Sequence, residues 1–352
     1  MRQELFRLPY FGTPIYGYGL MLVLGFLGAL QLARYLARRS RIDPELFVNV
    51  AIVALVSGIA GARLSHVLEN LDYYTNPARS AWANFIDAVN IRSGGLTFYG
   101  GFILATFCCI GYALLKGIPI RRGMDIVAPC LMVGLGFGRV GCFLNGCCEG
   151  AECSTLPAPI AVVFPYHTNP YERHLDRGTL DPAQRPPPEA ATRADLSGRP
   201  VGALSKPEIA ARYADEPATR DRVLAEVSTL HSNRVLNAQL FSAFTAFLLA
   251  FFLVRFYALP HAAGRAFALM LIVESPSRFV LEMLRAEPAF VGPNSPGGAL
   301  AFLPFDLSFS MFLSVWLTLA GVVLWFAFRG PPDDLTEPRD EPVAAAGRPA
   351  LA

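Results

Sequence analysis

The sequence predicts an all-α polytopic membrane protein with about seven transmembrane helices and one outer, periplasmic insertion between spans four and five. Three observations predict it. Hydrophobic residues fill 53% of the 352 positions and charged residues only 16%, less charge than a soluble domain of this length carries. The apolar residues gather into runs of about 20, the length that crosses a bilayer. Arginine and lysine recur in alternate loops between those runs, as the positive-inside rule requires. The net charge is only +2, so nothing points to nucleic acid as a partner.

In chain order the spans are 15–36, 46–68, 94–115, 124–144, 236–258, 264–285 and 305–328. The first follows a mixed, aromatic N-terminus without a small-residue cleavage site, so it reads as a span and not as a signal peptide. Arg34, Arg38, Arg39 and Arg41 follow span one, and Lys116, Arg121 and Arg122 follow span three. Arg255 and Arg265 flank the link between spans five and six, and Arg329 follows span seven. Those loops fall on one side, which is therefore cytoplasmic. The N-terminus, the loops 69–93 and 286–304 and the long segment between spans four and five then lie outside. The division is 1–145 for spans one to four, 146–235 for a periplasmic insertion, 236–328 for spans five to seven, and 329–352 for a disordered cytoplasmic tail. The insertion is expected to be partly disordered, because "DPAQRPPPEAATRADLSGRP" has no apolar period.

Three spans carry charge where lipid penalises it. Arg63 lies in span two, Arg139 in span four, and Glu274, Arg278, Glu282 and Arg285 in span six. Each such charge costs about 2.5–3.5 kcal/mol on the lenient insertion scale, so these faces must look toward protein or water. The spacings of four, four and three put the span-six charges on one face. One reading is a neutral structural ladder, Glu274 with Arg278 and Glu282 with Arg285. The other is an anion site shared by Arg139 and Arg278, because a guanidinium is always charged and offers a phosphate two parallel bonds. Gly134, Gly138 and Gly141 are expected to let a neighbour approach span four closely around Arg139.

Cys108, Cys109 and Cys130 lie within spans and read as packing residues. Cys142, Cys147, Cys148 and Cys153 form a C-x4-C-C-x4-C cluster at the outer boundary. Adjacent cysteines chelate one ion badly and C-x2-C pairs are absent, so no metal site is expected. A structural role, packed or disulfide-bonded, stands against a reactive thiol or metal.

Four motifs then resemble one family. "YGYGLM", "SGGLTFYGGF", "GFGRVGCFLNGCCEG" and "SRFVLEMLR" are similar, in this order and on these spans, to the motifs of bacterial prolipoprotein diacylglyceryl transferases. The resemblance implies transfer of the diacylglyceryl group of phosphatidylglycerol to the lipobox cysteine thiol of a prolipoprotein signal peptide, with release of glycerol phosphate. It implies a multi-pass protein of the bacterial inner membrane, working on membrane lipid without metal or cofactor. Matched to the family's motifs, Arg139 and Arg278 are the essential arginines. Tyr18, Asn145, Gly150 and Glu282 join them at the phosphatidylglycerol site, and Tyr99 is a candidate base or orienting hydroxyl. Asp125, Arg63 and Gln239 are supporting residues. The chain departs from the family at Tyr99, which replaces a histidine, at Cys142, which replaces an asparagine, and at Cys147, which replaces an acidic residue. A membrane thiol–disulfide oxidoreductase is the competing class, and a transporter of anions is the third. Neither accounts for both the span-six charges and the four motifs.

Overall fold

The structure, a computed structural model, describes residues 4–7, 14–75, 80–90, 95–153, 155–194, 200–285 and 307–330. Strands β1 (Glu4–Arg7) and β2 (Pro14–Tyr16) precede α1 (Gly17–Arg39), α2 (Pro44–Glu69), α3 (Leu71–Tyr74), α4 (Ala81–Val89), α5 (Phe98–Leu115) and α6 (Ile120–Asn145). Next come β3 (Ala161–Val162), α7 (Asn169–Arg177), β4 (Ala191–Ala194), β5 (Pro200–Ala203), α8 (Lys206–Arg212), α9 (Pro217–Val227) and β6 (Val235–Leu236). The chain continues with α10 (Ala238–Tyr257), α11 (Arg265–Met283) and α12 (Phe309–Ala327). The strands make three antiparallel pairs, β1–β2, β3–β6 and β4–β5, and among the described residues no sheet closes.

This is an all-α polytopic membrane protein. Helices α1, α2, α5, α6, α10 and α12 are long and apolar enough to cross a bilayer, six where seven were expected. The seventh, α11, is helical at the expected place, but Arg265, Glu274, Arg278 and Glu282 give it four charges in 19 residues. Its apolar content alone cannot carry it across hydrocarbon, and its charges need partners. Helix α5 shows the opposite extreme. Only 6% of its apolar window is buried, leaving Phe102, Phe107 and Leu114 as a face suited to lipid.

The chain forms two compact units. One comprises residues 28–130, 254–267 and 324–352. In it α2 packs on α5 through small residues: a Cβ at Gly61 would stand 2.5 Å from the Gly100 carbonyl oxygen. Arg63 is buried and donates to the Ala88 carbonyl at 2.8 Å and the Gly95 carbonyl at 3.0 Å, and also to that of Asp87. Its guanidinium stacks 5.3 Å over the Tyr74 ring, so this charge is met by backbone oxygens and an aromatic face. Leu36, Phe47, Ile126 and Tyr257 form an apolar core. Asp125 is fully buried beside it. Its carboxylate accepts from the Gly264 N–H at 2.7 Å and the Phe267 N–H at 3.1 Å, capping the free donors at the start of α11.

The other unit comprises residues 1–27, 131–253 and 268–323. It holds the 146–235 segment, in which residues 195–199 of the proline-rich stretch lie outside the described residues and much of the rest is packed. Tyr166, Tyr171, Leu175, Leu180, Ile209, Val223 and Val227 share one apolar core. Tyr166 donates to the Leu204 carbonyl at 2.7 Å and Tyr171 to the Gln184 carbonyl at 2.8 Å. A capping box starts α8, with Ser205 and Glu208 bonding reciprocally. Pro170, Pro207 and Pro217 sit at helix starts, where a missing N–H is harmless. The expected tail beyond residue 330 and the 286–304 loop lie outside the described residues.

Candidate active site

Helix α6 carries Arg139, Cys142 and Asn145, each one turn from the next or nearly so. Close approach to this helix comes at Gly136 and Gly141, not at all three expected glycines. A Cβ at Gly136 would meet the Phe247 ring at 2.6 Å, and one at Gly141 would meet Tyr18 Cδ2 at 3.0 Å. Gly134 and Gly138 face open space. The Gly141 contact sets Tyr18, in the first turn of α1, against α6. Tyr18 lies within electrostatic reach of Arg139, Cys142, Cys147 and Cys148. Among the described residues Arg139 has no ion pair or hydrogen bond. Glu274 stands within its electrostatic reach, and the Glu274 Oε2 atom is buried without a hydrogen-bond partner.

The ladder on α11 is wired differently from the expectation. Glu282, buried, pairs with both arginines: Arg285 at 3.2 Å and Arg278 at 3.5 Å. Glu274 does not neutralise Arg278, which instead donates to Ser310 Oγ at 3.4 Å. Arg285 and Arg139 both act on Cys148, so the charges of α11 and the end of α6 belong to one neighbourhood.

The loop after α6 turns sharply. Gly146 has φ +70°, and Cys148, which is not glycine, has φ +61°. A side chain in that left-handed region costs about 1 kcal/mol or more. The turn folds the adjacent cysteines back toward the helix, and the sulfurs of Cys142, Cys147 and Cys148 lie within 4.8 Å of one another. The left-handed φ at Cys148 accompanies this convergence of adjacent cysteines, which their spacing does not announce. All seven cysteines are free thiols, and the Cys153 sulfur sits 3.9 Å from Thr155 Oγ1. Gln239, buried, donates to the Cys147 carbonyl at 3.0 Å and pins this loop to α10. Gly150 closes it: a Cβ there would meet the Leu236 side chain at 2.6 Å and the Leu236 and Leu284 carbonyls at 2.9 and 3.0 Å. A buried Glu149 follows the cysteines and pairs with Arg173 at 2.8 Å. Burial pushes its carboxyl up from the usual range, against the pull of Arg173.

A family model described as prolipoprotein diacylglyceryl transferase matches residues 3–327. The chain belongs to the prolipoprotein diacylglyceryl transferase family. A phosphatidylglycerol–prolipoprotein diacylglyceryl transferase of Clostridium tetani is 26% identical over 328 residues, covering 92% of this chain and 97% of the relative. One from Rhodopirellula baltica is 34% identical over 170 residues, covering 48% of this chain and 34% of the relative. One from Finegoldia magna is 32% identical over 152 residues, 43% of this chain and 58% of the relative. The match therefore spans nearly all of one relative and well under two thirds of the other two.

In this transferase-family chain, Tyr18, Arg139, Asn145, Gly150, Gln239, Arg278 and Glu282 belong to one unit, and Tyr99, Arg63 and Asp125 to the other. Tyr99 opens α5, is 44% exposed and makes an edge contact with Phe98. Sequence reasoning missed three partners. His261 lies 3.5 Å from Asp125, Ser310 receives Arg278, and Arg173 holds Glu149. All three sit far from their partners in sequence, so no local spacing announces them.

Proposed function

We propose that this chain transfers the diacylglyceryl group of phosphatidylglycerol to the cysteine thiol of a prolipoprotein lipobox. The observation that carries the reading is Arg139: an arginine on a membrane-spanning helix, within electrostatic reach of Tyr18, with no ion pair or hydrogen bond to an anionic group among the described residues. Such a cation suits an anion that arrives with the substrate.

The chemistry is substitution at the glycerol carbon bearing the phosphate. The thiolate sulfur attacks that carbon, the C–O bond to phosphate breaks, and glycerol phosphate leaves with the electron pair. The lipid phosphodiester carries one negative charge, and the departing monoester carries about −1.5 to −2 at neutral pH. Charge therefore grows on the phosphate oxygens along the reaction. Arg139 meets that growing charge, and Arg278, oriented by Glu282 and Ser310, supports it. Cations that bind the later charge better than the earlier one accelerate the step. Tyr18 and Asn145 line the headgroup beside Arg139, and Gly150 keeps the closing loop in place. Tyr99 positions a polar group of a substrate through its hydroxyl.

The protein is a multi-pass component of a bacterial inner membrane. The arginine-rich loops face the cytoplasm, which puts the N-terminus and the 146–235 insertion outside and the C-terminus inside. The test is direct. Purified protein, phosphatidylglycerol vesicles and a lipobox peptide are combined, and the peptide is weighed by mass spectrometry. A diacylglyceryl adduct on the cysteine, absent from a serine peptide and absent with Arg139→Ala, is the expected result. No adduct from folded wild-type protein would overturn the reading.

A further inference from the structure

We infer that Cys142, Cys147 and Cys148 form a three-thiolate zinc site whose fourth position takes the incoming substrate thiol. Three observations carry the site. Their sulfurs lie within 4.8 Å of one another, and in a tetrahedral zinc site with bonds of about 2.3 Å the sulfurs stand ~3.8 Å apart, so closure needs shifts of an ångström or less. No disulfide ties any of them up. The backbone is bent for it: Cys148 holds a left-handed φ of +61° that a cysteine adopts at a cost, and Gly146 before it is also left-handed at +70°. The Gln239 bond to the Cys147 carbonyl and the clearance at Gly150 hold the bent loop from either side.

The surroundings suit the charge. Three thiolates on a zinc ion carry a net charge of −1, and Arg139 and Arg285 both lie within electrostatic reach of Cys148. Asn145 and Tyr18 both stand within electrostatic reach of the cysteines, so the cluster shares its neighbours with the proposed lipid site. Soft sulfur ligands select thiophilic d10 ions such as zinc. Three protein ligands and one open position is the layout of catalytic zinc sites and not of structural ones.

The role of the open position rests on the transferase reading. The substrate cysteine binds zinc as thiolate and gives its proton to water. Its sulfur then forms the S–C bond as the C–O bond to phosphate breaks, and the uncharged thioether, a weaker ligand than thiolate, leaves the zinc. A tyrosine of ordinary pKa ~10 is a poor base near neutrality, and zinc removes the need for one. A free thiol of pKa ~8.5 is only about 3% thiolate at neutral pH, so coordination raises the reactive fraction about thirtyfold.

The test uses the whole detergent-purified protein. Elemental analysis is expected to find about one zinc per chain, lost in Cys142→Ser with Cys148→Ser and kept in Cys153→Ser. Cobalt(II) loaded into chelated wild-type protein, which needs no variant, is expected to show sulfur-to-metal charge-transfer absorption that shifts with a lipobox cysteine peptide and not with the serine peptide. Chelation is expected to slow transfer about thirtyfold at neutral pH and to make the rate climb with pH toward ~8.5, with zinc restoring the flat profile. No zinc or cobalt bound, a Cys142–Cys147 or Cys142–Cys148 disulfide in the active protein, or an unchanged rate and pH profile after chelation would each overturn the proposal. If the metal binds and responds to thiol but no lipid is transferred, the transferase reading fails and the metal site stands.

Discussion

The Glu282 carboxylate lies 3.2 Å from Arg285 while its other neighbour, Arg278, stands at 3.5 Å, so one buried anion orients two cations one turn of helix either side of it. Removing a buried charge leaves its partners uncompensated. Glu282→Ala is expected to destabilise the protein by about 3 kcal/mol and to slow transfer, because Arg278 loses the group that aims it. Thermal unfolding in detergent and the lipidation assay read the two effects separately. Wild-type values in both would remove Glu282 from the site.

Arg139 contacts no other side chain by ion pair or hydrogen bond among the described residues, so its loss is expected to spare the fold. Arg139→Ala should abolish transfer at an unchanged melting temperature. Arg139→Lys should recover only part, since an ammonium cannot offer two parallel bonds. Arg278→Ala should also lose transfer, but with a lowered melting temperature because buried Glu282 loses a partner, and in activity the double variant should be little worse than either single. Full activity in Arg139→Ala rejects the leaving-group assignment.

Tyr99 separates two roles. Loss of a general base costs about 10²–10⁴ in rate, whereas loss of one hydrogen bond to a charged group costs nearer tenfold, about 1.4 kcal/mol. Tyr99→Phe is expected to show the smaller loss with its pH–rate profile unchanged in shape. A loss beyond a hundredfold together with a vanished pH step would make Tyr99 the base.

His174 sits in the core of the insertion, and burial there, reinforced by Arg173 and Arg177, holds its pKa below the ordinary value against the pull of Glu152. The unfolded chain then binds the proton more readily than the folded one. Stability from the neutral ring is complete above the ordinary histidine pKa of ~6.5 and is lost as pH falls below it. Hydrogen exchange across residues 160–232 is expected to quicken in mild acid, and His174→Gln to flatten that dependence. Equal acid sensitivity in the variant would place the titration elsewhere.

The Glu149–Arg173 pair gives a similar test outside the spans. Glu149 is almost fully buried and Arg173 about one third exposed. Arg173→Ala is expected to cost a few kcal/mol, ~3 at most, by stranding the carboxylate. Glu149→Gln in the same chain should recover most of it, and an additive double variant would show that the two do not interact.

The spans were legible because lipid imposes a length and a composition that local sequence must satisfy, as in "FYGGFILATFCCIGYALL" on α5. The insertion's core was not, because Tyr166, Tyr171, Ile209 and Val223 meet across tens of residues broken by prolines. On α11 the charged face was legible, but Glu282 has an arginine both three and four residues away, so spacing permits either pairing and only the side-chain geometry selects both. The cysteine cluster was seen and its convergence was not. A count of intervening residues carries no information about a left-handed turn at Cys148.

The base of the insertion is a clasp. The Tyr166 N–H bonds the Leu230 carbonyl at 3.0 Å, the Ser232 N–H bonds the Phe164 carbonyl at 2.8 Å, and the Cys153 N–H bonds the Arg234 carbonyl at 2.8 Å. Entry and exit of the chain therefore leave side by side, and everything between Tyr166 and Leu230 buds from a stem only two strands wide. Beyond the stem the module also meets the loop after α6, through the Glu149–Arg173 pair and Thr168 beside Gly146, so α8 and α9, which take no part in that contact, are the elements free to lengthen, shrink or be exchanged. Evolution can refit those elements while the residues of the candidate site stay as they are.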